Sequence, residues 1–215
     1  MHDSPLTNSP DDMNKFSARL ARRSFCTALL PVLLVLAVLP GATLAQIPAL
    51  EDVINKEVDV PFVTTPQNVV DAMLALAQVR RGDTLIDLGS GDGRIVITAA
   101  TRCDVPGLGV EIDPRLVEHA RATALTEGVA ARARFEIQDL FTTDLTPASV
   151  ITLYLLPDVN ELLKPRLQKL RPGTRIVSHD WGMGDWKPDR VSTVDAPGKT
   201  VGTGKTSKLL LWVVK

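Results

Sequence analysis

Aromatic residues are scarce, at 4% of the 215 residues, cysteine occurs only twice, and neither charge sign prevails. Each shortage excludes a class of protein. Two cysteines cannot build a disulfide-dense scaffold or a multi-cysteine zinc site, and no other metal-ligand spacing is present. A formal charge of −1, from 24 basic and 25 acidic residues, supplies no cationic field for phosphates, so a nucleic-acid partner is not expected. No apolar run reaches the roughly 20 residues that a helix needs to cross a bilayer. The longest, Cys26–Leu39, has 14 residues and is interrupted by Pro31. No internal repeat or low-complexity stretch occurs. What is present, 45% hydrophobic and 23% charged residues, is ordinary for a folded globular domain.

The apolar residues are unevenly placed. Residues 1–14 are polar and carry Pro5, Pro10, Asp11 and Asp12; Lys15, Arg19, Arg22 and Arg23 precede the apolar run, and Thr43-Leu44-Ala45 comes after it. A basic stretch, a short apolar stretch and small residues at a cleavage point read as a secretory signal. Arg22-Arg23-Ser24-Phe25 resembles a twin-arginine export motif. Three readings stay open: a cleaved signal, an uncleaved anchor giving membrane association through residues 26–39, and a start codon upstream of the true one. Export and anchoring both place the body of the chain outside, because the basic flank stays in the cytoplasm. The expected organisation is 1–45 as signal or anchor, 46–63 as a lead-in, and 64–215 as a domain. Residues 1–45 hold four basic and three acidic side chains, so the remainder carries 20 and 22, net −2, with Cys103 as its lone cysteine, in a structural position at a helix end.

From residue 64 the pattern alternates. Thr65-Pro66 predicts an N-cap with proline at the first helical position, and Val69, Val70, Met73, Leu74 and Ala77 line one helical face. Thr84–Leu88, Gly107–Glu111, Ala133–Gln138, Val150–Leu155 and Thr174–Ser178 read as strands. Helices fill the gaps: Arg94–Arg102, one capped by Asp113-Pro114 and ended by Gly128, and one with Leu162, Leu163, Leu167 and Leu170 broken near Pro165. Strands alternating with helices of this length predict a Rossmann-like α/β fold with an open, mostly parallel seven-stranded sheet and helices on both faces. Asp189–Val194 and Lys208–Val214 have no helix-length connection and predict an antiparallel hairpin at the C-terminal edge.

In such sheets ligands bind beyond the carboxyl ends of the strands. Asp87-Leu88-Gly89-Ser90-Gly91-Asp92-Gly93 lies there, after the first strand. By itself a glycine loop is also consistent with a mere tight turn. Three acids add to it: Asp87 at the first strand end suits a cationic ligand group, Glu111 at the second suits ribose hydroxyls, and Asp139 at the third suits an adenine amine. Dinucleotide sites use G-x-G-x-x-G to seat a pyrophosphate. Here Gly89, Gly91 and Gly93 give G-x-G-x-G with acids at 87 and 92, which repel a pyrophosphate and suit an amino group and a sulfonium.

This loop resembles the first motif of class I S-adenosylmethionine-dependent methyltransferases, over about residues 61–215. The resemblance implies S-adenosylmethionine as cofactor, with Gly89, Ser90, Gly91 and Gly93 near its amino-acid part, Glu111 on the ribose, Asp139 at the adenine and Ile112 packed on that ring. Tyr154-Leu155-Leu156-Pro157 departs from the Asn/Asp-Pro-Pro-aromatic motif of enzymes that methylate amino groups of nucleic acid or glutamine. Together with Pro61–Pro66, Gly109–Pro114, Ser178-His179-Asp180-Trp181 and the tail to Trp186, it is similar to the small lysine methyltransferases of bacteria and mitochondria. That family includes enzymes acting on the ATP synthase c-subunit and the adenine nucleotide translocator. The resemblance implies a protein acceptor, with membrane proteins among the candidates.

A lysine amine has an ordinary pKa near 10.4 and must be neutral to attack, which a desolvating aromatic slot favours. Tyr154, Trp181 and Trp186 are candidates to line that slot, with Pro157 beside them, and aromatic faces also hold an ammonium. Tyr154, His179 and Asp180 are the candidate catalytic residues, the last two to accept the proton or orient the amine; plain packing is the alternative for the aromatics, and a backbone-bonded strand end for His179. Other functions stay open: methylation of a small molecule, a non-catalytic binding module on the same fold, and an NAD-dependent oxidoreductase. The implied cofactor is made and used in the cytoplasm, so activity is expected on that side, in conflict with the exporting or anchoring character of the N-terminus.

Overall fold

The structure, a computed structural model, describes residues 63–200 and 204–215. The segments 1–45 and 46–62, with the expected signal or anchor and most of the lead-in, lie outside the described residues. Seven strands form one sheet in the order β3-β2-β1-β4-β5-β7-β6. They are β1 (Leu85–Leu88), β2 (Gly107–Glu111), β3 (Ala133–Ile137), β4 (Val150–Leu153), β5 (Arg175–His179), β6 (Arg190–Asp195) and β7 (Thr206–Val213). The first five run parallel, and β7 is antiparallel to both β5 and β6. The hairpin expected at the C-terminal edge is there, with β7 inserted between β5 and the edge strand β6.

Burial explains the composition of each strand. β1 and β4 lie centrally and every residue in them is buried, so both are apolar runs rather than alternating ones. The edge strands alternate: Ala133 and Phe135 of β3 are buried and Arg134 and Glu136 exposed. Helices α1 (Gln67–Leu76), α2 (Arg94–Cys103) and α3 (Pro114–Thr126) cover one face. Val69, Met73, Val96, Ala99, Val117 and Ala120 pack there on Leu85, Val150, Val177 and Leu209. Helix α4 (Pro157–Leu167) covers the other, with Leu163 and Leu167 among the residues packed with Ile86, Ile151, Ile176 and Trp212. Fully burying a side chain of this size contributes about 1.5–3 kcal/mol. The period of two then decides which side chains share the site: Asp87, Thr152 and His179 follow Leu85, Val150 and Val177 onto the α1–α3 face.

Three local expectations are corrected. Helix α1 begins at Gln67 with Pro66 as its N-cap and without a side-chain cap bond; the Thr65 hydroxyl is engaged elsewhere. Pro165 lies inside α4 without breaking it: it falls in the last turn, where the lost N–H bond leaves little helix to disrupt. β4 stops at Leu153, so Tyr154 and Leu155 lie beyond the sheet. The expected cap at Asp113 is present, its carboxylate accepting from the Arg115 N–H with Pro114 in the first turn. The expected export or membrane anchoring is also corrected: no helix among the described residues is long and apolar enough to cross a membrane.

Candidate active site

The site is built at the carboxyl ends of β1, β2, β4 and β5. Asp87 comes first. The register places it opposite Thr152, whose hydroxyl donates to Oδ1 at 2.7 Å. Its other oxygen, Oδ2, has no partner among the described residues, although the residue is 2% exposed. Burial pushes the Asp87 carboxyl up to about 7; the Thr152 bond opposes this, and the Asp92 and Glu111 charges add to it. One residue beyond β1 and Gly89, the buried Ser90 hydroxyl is also without a partner. Two buried polar atoms left bare at the end of one strand are costly unless a ligand meets them.

The glycine loop is held from β2. The Gly89 and Ser90 N–H groups donate to the Val110 carbonyl at 3.0 and 2.9 Å. The Gly91 N–H donates to Glu111 Oε2 at 3.0 Å, while Oε1 accepts from the Ile112 and Asp113 N–H groups at 2.8 and 3.1 Å. Glu111 therefore fixes the loop and the entry to α3 with one carboxylate; Oε1 has both lone pairs taken, and Oε2 keeps one for a hydroxyl. Gly93, at φ +80°, caps α2; a Cβ there would lie 2.6 Å from the Phe135 ring and 2.7 Å from Ala120 Cβ. Gly109 has a different reason. A Cβ on it would sit 2.6 Å from both the Ser90 hydroxyl and the Phe135 ring, so the loop can close onto β2 only over a glycine.

Asp92 has another task than the one its position suggests. Its two oxygens accept from Arg94 Nε at 2.9 and 3.0 Å, and Arg94 Nη1 reaches the Thr65 carbonyl at 2.8 Å. The pair ties the loop to the segment entering α1. Asp139 stands two residues past β3, exposed, with Oδ1 accepting from the Phe141 N–H at 2.8 Å. Ile112 is 73% exposed just past β2, and Ile137, paired with Glu111 in the register, is exposed as well. These offer a flat apolar surface beside the Glu111 carboxylate.

Beyond β4 and β5 the character changes. The half-buried Tyr154 ring stacks on His179, with centroids 3.9 Å apart and planes at 27°. His179 is fully buried, Nδ1 lying 3.2 Å from the Thr65 hydroxyl and Nε2 2.7 Å from the Ser207 hydroxyl. Burial presses its pKa down to about 4, against the raising charge of Asp180 and with the lowering charge of Lys199. Asp180 has a left-handed backbone, φ +63°. It is held by Lys208, whose N–H donates to Oδ1 at 3.0 Å, and by Lys199 Nζ, 2.6 Å from Oδ2. Trp181 comes next, 42% exposed. Pro157 opens α4 and is exposed. Trp186 lies apart from this group, half-buried and tilted on Trp212 at 5.8 Å.

The structure therefore brings together Asp87, Ser90, Gly91, Gly93, Glu111 and Ile112 on one side and Tyr154, His179, Asp180 and Trp181 on the other. Several participants were not singled out in the sequence. Thr152 was detectable as the one hydroxyl in the otherwise apolar Val150–Leu153 run. Thr65, Ser207 and Asn160 left no such trace. Asn160, fully buried in α4, holds the loop after β5 by donating from Nδ2 to the Trp181 and Gly182 carbonyls at 3.3 and 3.2 Å.

A glycine loop closed over β1 and β2, a carboxylate at the end of β2 and a buried carboxylate with one bare oxygen at the end of β1 are the features of a Rossmann-like methyltransferase that uses S-adenosylmethionine. The bare Asp87 and Ser90 oxygens fit the cationic amino-acid part of that cofactor, and Glu111 with Ile112 fits its nucleoside. The ANTKMT methyltransferase domain matches residues 87–190. A protein-lysine N-methyltransferase of Saccharolobus islandicus is 45% identical over 63% of this chain and 86% of its own. The chain belongs to this methyltransferase family. The lysine N-methyltransferase of Rattus norvegicus named for the ATP synthase c-subunit is 35% identical, across 64% of this chain and 63% of its own length. A crystal structure described as an RNA methyltransferase of Salinibacter ruber, in complex with S-adenosyl-L-homocysteine, is 50% identical with a TM-score of 0.64, covering 71% of this chain and 94% of that one.

Proposed function

We propose that this chain methylates the side-chain amine of a lysine in a protein substrate. The observation that carries the reading is the place of Tyr154, half-buried just past β4, whose last residue Leu153 pairs with Leu88 of β1 beside the Asp87 carboxylate. When bound, S-adenosylmethionine would supply a methyl group on a sulfonium, the C–S bond breaking as the acceptor nitrogen bonds to the carbon, so that the sulfur would leave as a neutral thioether. Asp87, with its bare Oδ2, would hold the positively charged part of that cofactor, and Glu111 and Ile112 would hold its nucleoside. Tyr154 sits beyond β4, where its face and hydroxyl can hold and orient an amine. The phenol is pushed up from its ordinary range by burial and by Asp180, so the hydroxyl stays protonated. Half-burial of Tyr154 disfavours the ammonium form of an entering lysine, whose proton leaves to solvent before attack.

His179 is unsuited to take that proton: its ring is closed to solvent and both nitrogens face hydroxyls. Asp180 is likewise engaged, by Lys199 and the Lys208 N–H. The RNA reading suggested by the Salinibacter relative's description meets an electrostatic obstacle. Arg94, Arg115 and Lys199, basic residues of these loops, are each paired with an aspartate, Asp92, Asp113 and Asp180. Phosphates would meet Asp87, Glu111 and Asp139 without those cations to neutralise them. The names of other relatives, for the ATP synthase c-subunit and adenine nucleotide translocase, support a protein acceptor and make membrane-protein fractions the first place to look.

The test is incubation of the full chain with methyl-labelled S-adenosylmethionine and a cell extract divided into protein and RNA. Label recovered as methyl-lysine after protein hydrolysis is the expected result. Label confined to RNA, or to small molecules, would reject the assignment while leaving the fold and cofactor site intact.

A further inference from the structure

Resting on that reading, we infer that His179 is a buried positioning residue that sets the plane of Tyr154 and links it to the cofactor loop through Thr65. The geometry carries the link in three contacts. His179 offers one face to Tyr154 at 3.9 Å, leaving its edges for hydrogen bonds. One edge meets Ser207 of β7 at 2.7 Å, and the other meets Thr65 at 3.2 Å. The same Thr65 receives Arg94 on its carbonyl at 2.8 Å, and Arg94 clasps Asp92 in the glycine loop. The chain of contacts thus runs from the acceptor aromatic to the cofactor loop: Tyr154, His179, Thr65, Arg94, Asp92.

Two hydroxyl partners suit a neutral imidazole, because each hydroxyl can donate or accept and so meets whichever nitrogen carries the proton. The charged groups around the ring are Asp180, 3.5 Å from Nε2, and Lys199, which pairs with that same carboxylate; Tyr154 is the remaining titratable neighbour. Asp180 is already matched by Lys199, so it leaves the imidazole without a counter-charge. A ring so enclosed gives Tyr154 a rigid floor. Without that floor the phenol would swing on a loop residue beyond the end of β4, and the acceptor nitrogen would lose its approach line.

Tyr154 is the only tyrosine in the chain, so one ring label reports on it alone. The full-length protein with ring-labelled tyrosine should give one sharp resonance, shifted by the imidazole beneath it, with no titration step through the neutral range once Asp87→Asn has removed the step that Asp87 contributes near 7. His179→Leu and Thr65→Val should each move or broaden that resonance, and Thr65→Ser should restore it. Thr65→Val should also slow label transfer to the protein extract roughly tenfold, with S-adenosylmethionine affinity in calorimetry unchanged. A Tyr154 signal that ignores both substitutions would overturn the inference. So would a titration midpoint near the ordinary histidine value of about 6.5 that persists in Asp87→Asn, because it would mean that His179 exchanges protons freely. If His179→Leu fails to fold, the Thr65→Val and Thr65→Ser pair decides. A wild-type enzyme that labels no protein would fail the lysine reading, and the resonance would still judge the positioning role.

Discussion

Two aspartates flank β1, four positions apart, and they are opposites. Asp83, just before the strand, is buried and fully partnered: Oδ1 takes the Ser149 hydroxyl at 2.7 Å and the Arg175 guanidinium, and Oδ2 takes the Arg80 N–H at 2.9 Å. Burial alone would raise its pKa, but the bonds from Ser149, Arg80 and Arg175 and the charge of Arg175 together pull it below the ordinary value. Asp87, near the strand's other end, is buried more deeply and has only Thr152, and its second oxygen is bare. The first carboxylate is completed by the protein. The second, we propose, is completed by a cationic ligand. Burial of an acid is therefore no sign of function; an unmatched burial is.

Substitution should separate the two. Asp83→Asn removes the counter-charge of the nearly buried Arg175, and the expected loss is about 3 kcal/mol of stability in denaturant titration. Its cofactor affinity under folded conditions should be unchanged. Asp87→Asn should do the reverse, keeping or improving stability above neutral pH while weakening S-adenosylmethionine binding by about 2 kcal/mol, roughly 30-fold, in calorimetry. Equal effects of the two changes on binding would erase the distinction. Thr152→Val should have the smallest effect, about 1 kcal/mol on cofactor affinity, because it removes the one bond that favours the Asp87 carboxylate.

The pH dependence of stability should differ in sign as well. Asp83 is depressed, so its contribution is present above the ordinary carboxylate range and is lost as pH falls through its folded value, below 3.8. Asp87 is raised, so its contribution is present below 3.8 and is lost as pH rises toward and through about 7. Thermal denaturation of the wild type and Asp87→Asn between those limits should show the variant gaining relative stability as pH rises; parallel curves would refute the assigned state of Asp87.

Asp87 and Glu111 were legible in the sequence because strand ends and glycine loops follow local rules, and the alternation of strands and helices fixed the fold class by the same means. Neighbours brought in by register were not. Thr152 meets Asp87 across 65 positions and Ser207 meets His179 across 28, and no periodicity encodes either pairing. The Thr65-Pro66 pair was misread for a related reason: a threonine before a helical proline is a good local cap, but here the tertiary bond to His179 engages the hydroxyl. Trp186 fell outside the acceptor group because the turn after β5 returns it to Trp212, a contact that depends on β7 lying beside β5.

The most direct measurement is the proton balance of cofactor binding near neutral pH, from calorimetric titration of S-adenosylmethionine in two buffers of different ionisation enthalpy. An open Asp87 that loses its proton when the cation arrives predicts heats that differ between buffers for the wild type, with that difference removed in Asp87→Asn. Wild-type heats that agree between buffers, or an Asp87→Asn variant that keeps both affinity and proton release, would contradict the role of Asp87 as the carboxylate completed by the cofactor.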